Sequence, residues 1–125
     1  MLAQEYRAFI SYSHADERVA AWLQRSLERY RVPSRLRRET GGLPARLNPV
    51  FRDKEELASS SDLGDSIRSA LARSEALVVV CSPAAAASRW VNEEIRAFRE
   101  LAPGRRILCL MVAGSPEADA PDCAF

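Results

Sequence analysis

The chain has 125 residues, enough for one domain with a sizeable core. Its 18 basic and 17 acidic side chains leave a net charge of +1, so no global charge draws it to nucleic acid or a membrane surface. No apolar run, residues 76–81 and 107–113 included, approaches the ~20 residues that cross a bilayer.

Three cysteines without ligand spacing argue against a disulfide framework and a metal site, and no basic stretch followed by an apolar core marks a secretory signal. A cytoplasmic setting is the expectation. Residues 6–13 read as a first strand, rich in aromatic and β-branched side chains, that stops abruptly at Ser13-His14-Ala15-Asp16. Val19, Trp22, Leu23, Ser26, Leu27 and Tyr30 then recur at helical spacing, with Asp16 or Ser13 as cap and Pro33 as stop. Residues 34–49 read as an irregular basic stretch carrying Arg35, Arg37, Arg38 and Arg46. Aromatics are not interleaved there, so a solvated loop with an interaction face is preferred to nucleic-acid binding.

Residues 47–52 form a short second strand, placed near a sheet edge by Pro49, which cannot donate to a ladder. A polar loop follows. Asp62 then precedes Leu63, Ile67, Ala70 and Leu71, the second amphipathic helix. The third strand, residues 76–81, is apolar throughout, as a strand buried on both faces requires. An alanine-rich connector opens with Ser82-Pro83, a helix runs from about Arg89 until Pro103-Gly104, and residues 106–112 form a fourth strand. The third and fourth strands read as central, with Cys81 and Cys109 as small core residues.

This alternation predicts an α/β fold: a flavodoxin-like open parallel sheet with helices on both faces. Such sheets usually have five strands or more, so the single domain, residues 1–125, is expected to lack its last strand and helix.

On the helix after Ser88, steps of roughly 100° gather Trp90, Val91, Ile95, Ala97, Phe98 and Leu101 on one arc. Asn92, Glu93, Arg96, Arg99 and Glu100 fall opposite. Glu94 breaks the pattern by projecting from the apolar arc. Stripping a carboxylate of water costs several kcal/mol unless it is paired. Glu94 therefore either reaches a nearby arginine or backbone amide, or looks into a cleft. In a flavodoxin-like sheet ligands bind beyond the carboxyl ends of strands 1 and 3. Here those ends lead into residues 11–16 and 82–94, so the topology also brings Glu94 to that crevice. A carboxylate in an aromatic-lined cleft suits glycosidic bond cleavage, whose transition state resembles an oxocarbenium ion, and Trp90 is placed to stack on a ring. His14 has no evident partner and reads as a solvent-facing loop residue.

Several motifs in this order resemble a TIR (Toll/interleukin-1 receptor) domain of the bacterial type. They are Phe9-Ile10-Ser11-Tyr12-Ser13, Phe51-Arg52-Asp53 before Glu55-Glu56-Leu57, Leu77-Val78-Val79-Val80-Cys81-Ser82-Pro83, and Ser88-Arg89-Trp90-Val91-Asn92-Glu93-Glu94. The resemblance spans residues 6–112 and implies the N-terminal domain of a larger protein.

The resemblance implies cleavage of NAD+, as substrate and not as cofactor, at the nicotinamide–ribose bond. Glu94 matches the family's catalytic glutamate. Trp90 lines the cleft, and Phe9, Tyr12, Ser13 and His14 match the segment that lies against the nucleotide. Residues 54–63, with Leu57 and Leu63, match the loop that governs access and self-association with other TIR domains. The chain departs from the family in carrying Ser60 where glycine is frequent, Ser13-His14 where some members have a basic pair, and a long stretch at residues 31–47. The alternative implied by the same resemblance is a non-catalytic adaptor signalling through TIR–TIR contacts.

Overall fold

The computed structural model describes residues 5–41, 45–52 and 64–112. Four strands, β1 (Ala8–Ser11), β2 (Val50–Arg52), β3 (Ala76–Cys81) and β4 (Arg106–Met111), form one parallel sheet in the order β2-β1-β3-β4. The helices between them are α1 (Glu17–Arg29), α2 (Ser34–Thr40), α3 (Asp65–Ala72), α4 (Pro83–Ala87) and α5 (Arg89–Leu101). Alternation of side chains along the strands divides the core in two. Phe9, Leu77, Val79 and Cys81 face α3 and α5, where Ile67, Leu71, Val91, Ile95 and Phe98 meet them. Ala8, Ile10, Val50 and Val80 face the opposite side, packed by Ala20, Val19, Leu23 and Leu27 of α1. Helices therefore cover both faces, as expected.

β2 is a sheet edge, as Pro49 foretold, and α1 secures it. Gln24 donates from Nε2 to the Val50 carbonyl at 3.0 Å, and the Val50 amide donates to Glu28 Oε2 at 3.1 Å. Two backbone groups at the edge are thereby satisfied by helix side chains.

Four local expectations need correction. The stretch read as irregular contains α2, built from helix-favouring Arg, Leu and Glu, braced by Arg35 to Glu39 at 3.3 Å, and closed by Gly41 at φ 68°. Its density of arginine concealed a short helix. The alanine-rich connector likewise contains α4, capped by Ser82 and started by Pro83 at a position that needs no amide. Before Pro33 is reached, α1 has already ended at Arg29, with Tyr30 extended at φ −64°, ψ 128°. β4 is not central: among the described residues it pairs with β3 alone, and Leu108, Cys109 and Met111 are exposed. A run of apolar side chains cannot reveal whether anything packs over it, and Cys109 was misread for that reason.

Candidate active site

Glu94 is set in place by how α5 begins. Ser88 stays extended and accepts the Val91 amide on its Oγ at 3.2 Å, starting the helix at Arg89. Asn92 then turns inward, not to solvent as the helical wheel suggested, and is 4% exposed. Its Nδ2 donates to the carbonyls of Ala86 at 3.0 Å and Ser88 at 2.8 Å. Those carbonyls belong to the end of α4 and to the N-cap of α5, whose Ser88 carbonyl also accepts the Asn92 backbone amide at 3.2 Å. Asn92 thus fixes the first turn of α5 against α4, two residues before Glu94. Replacing Asn92 by Ala is expected to lower stability by about 1–3 kcal/mol, because a buried side chain and its link to the partly buried Ala86 carbonyl are lost. A urea midpoint indistinguishable from the parent would contradict this.

One turn further, Glu94 points at the sheet and is 1% exposed. Its Oε1 accepts a hydrogen bond from Ser11 Oγ at 2.8 Å, and Ser11 itself is wholly buried at the carboxyl end of β1. The carboxylate is thus tied to the strand whose carboxyl end meets that of β3. Half-buried Trp90 packs on the same core cluster as Phe9, Val91 and Phe98. Phe9 has no exposed surface, and its ring stacks on Phe51 at 5.0 Å, with Tyr6 edge-on to Phe51 at 5.2 Å. Phe9 is therefore packing beneath the site, closed to any ligand in this conformation.

The remaining candidates divide. Ser13, half-buried, caps the 3-10 turn His14–Asp16 by accepting the Ala15 amide at 3.4 Å, and His14 is exposed. Asp16 does not cap α1; its Oδ2 accepts a hydrogen bond from Ser82 Oγ, which also caps α4. The segments following β1 and β3 are linked by that bond. Tyr12 lies on the other side of the sheet, within the α1 core. Its hydroxyl accepts from Arg52 Nη1 at 3.4 Å, and the Arg52 guanidinium sits 5.9 Å from its ring centre. Leu57, Leu63 and the rest of 54–63 lie outside the described residues. Among the described residues no three His, Cys, Asp or Glu side chains are grouped to hold a metal ion.

Two residues, Ser11 and Asn92, went unselected by sequence reasoning. For Ser11 a signal existed: a serine alternating with Phe9 on a core-facing strand must find a polar partner, and Glu94 was the one carboxylate on an apolar arc. What the assembled group offers chemically is a buried carboxylate, oriented by a hydroxyl, at the carboxyl end of a parallel sheet, with an indole one turn earlier on the same helix.

The family described as "TIR domain" matches residues 8–124. A curated protein, the NAD(+) hydrolase ApTIR of Actinoplanes sp., is 42% identical over 120 residues, which is 94% of this chain and 16% of that protein. The chain thus spans about a sixth of that relative's length. Among solved structures, the TIR domains of the activated Roq1 resistosome recognising the effector XopQ superpose with a TM-score of 0.54 at 22% identity. That match covers 88% of this chain and 58% of the other, and it speaks to fold alone.

Proposed function

The chain belongs to the TIR domain family, and on that footing we propose that it is an NAD+ glycohydrolase in which Glu94 is the catalytic carboxylate. The observation that carries this reading is the buried Glu94 carboxylate held by Ser11 at the carboxyl end of β1. Its 42% identity to a curated NAD(+) hydrolase supports the substrate. In the reaction the bond between ribose C1′ and the nicotinamide nitrogen breaks, and its electron pair leaves with nicotinamide, neutralising the pyridinium. The sugar is left as an oxocarbenium ion. A fixed negative charge beside it, in a site poor in water, stabilises that cation more strongly than the neutral-ribose ground state. Attack on C1′ by water completes the hydrolysis, giving ADP-ribose. Trp90 forms a wall of the cleft, while Ser13 and His14 border the nucleotide, and the charge of Glu94 does the chemistry.

At 1% exposure Glu94 cannot meet a ribose in the conformation described here, so catalysis requires the site to open. Opening by self-association, through residues 54–63, is the second part of the proposal. Dilute protein is expected to consume NAD+ slowly and the same protein clustered on a support to consume it faster, with nicotinamide release measured in both. Equal rates per molecule would remove self-association from the mechanism. The same burial fits a second reading, in which Glu94 serves only to anchor α5 to β1 in a non-catalytic adaptor. That reading predicts oligomers with NAD+ left intact under every condition.

A further inference from the structure

We infer that Ser11 is a positioning residue for the reaction, holding the Glu94 carboxylate in its working orientation. The inference rests on the reading of Glu94 as the catalytic carboxylate. Ser11 is the last residue of β1, and its backbone is locked in register opposite Val79 of β3. Its neighbours on the same face of the sheet are apolar: Phe9, Leu77, Val79 and Cys81. A hydroxyl with no exposed surface in such company must spend its donor on a specific acceptor. That acceptor is Glu94 Oε1, 2.8 Å away.

The bond has consequences for both partners. A glutamate side chain has three rotatable torsions, and holding it in one geometry costs rotamer entropy of up to ~2 kcal/mol. A donor mounted on a central strand sets that geometry before substrate arrives. Charge-assisted hydrogen bonds of this kind are the stronger class, and they also compensate a carboxylate for lost water. The strand on which Ser11 sits is fixed from both sides, by β2 and by β3. The α5 backbone that carries Glu94 is fixed separately, through Asn92. Ser11 is thus the point where the sheet controls the direction of the reactive oxygens.

The test compares Ser11→Ala, Ser11→Thr, Glu94→Gln and the parent protein, each clustered on a support, with kcat and KM for NAD+ and a thermal melt recorded for all. Ser11→Ala is expected to lower kcat by about 10- to 100-fold, the scale of a small misplacement of a reacting group, with KM within about threefold of the parent. Ser11→Thr, which retains the hydroxyl, is expected to recover most of the loss. A folded Ser11→Ala protein with parental kcat, while Glu94→Gln is inactive, would overturn the role of Ser11 and leave that of Glu94 standing. Loss of kcat in Ser11→Ala that Ser11→Thr fails to recover, although both melt like the parent, would also overturn it. Full activity in Glu94→Gln, or no cleavage by the clustered parent, would overturn both.

Discussion

Glu94→Gln is expected to reduce NAD+ cleavage by at least about 10²–10³-fold, the cost of removing one electrostatic contact to a developing charge. The substitution keeps the shape of the side chain and an oxygen able to accept from Ser11 Oγ, so the contact at 2.8 Å survives. Only the charge goes. A buried neutral amide is cheaper to desolvate than a buried carboxylate, so the melting temperature is expected to hold or rise. Loss of activity with a parental melt therefore isolates chemistry from folding. Full activity in a well-folded Glu94→Gln protein would remove this residue from the mechanism.

The second large effect concerns a residue that the family resemblance places against the nucleotide. Phe9→Ala is expected to destabilise the domain by about 3–5 kcal/mol, because the ring is fully buried and leaves a cavity among Leu77, Val79, Val91 and Phe98. Its stacking on Phe51 at 5.0 Å adds to the loss. Small domains are stable by only about 5–15 kcal/mol, so a substantial part of the total disappears and the melting temperature should fall on the order of 10 °C or more. The KM for NAD+ of the protein that remains folded should be unchanged. A raised KM at a parental melting temperature would instead make Phe9 a ligand contact.

The contrast between these residues shows where sequence is informative. β3 and α5 occupy the residues expected, because an uninterrupted apolar run and a serine followed by helix formers are unambiguous local signals. Glu94 was conspicuous for a similar reason: a charge on an apolar arc violates a periodic pattern. Phe9, Tyr12, Ser13 and His14, by contrast, match the family's nucleotide segment as one contiguous group, although alternation along a strand sends neighbours to opposite sides. The structure accordingly puts Phe9 with α5 and Tyr12 with α1. Asn92 misled the helical wheel because periodicity reports polarity, whereas its burial follows from the carbonyls of Ala86 and Ser88. For β4, the answer lay in its neighbours, about which its own residues are silent.

The pairing of Ser11 with Glu94 spans 83 positions of the chain. During synthesis at ~5–20 residues per second, the hydroxyl precedes the carboxylate from the ribosome by roughly 4–17 s. Contacts of such long range form late, because the entropy of closing the intervening loop must be met before they repay it. Nascent chains and fragments cut between these two residues lack one partner of the pair, so the Ser11–Glu94 hydrogen bond is confined to chains that hold both segments.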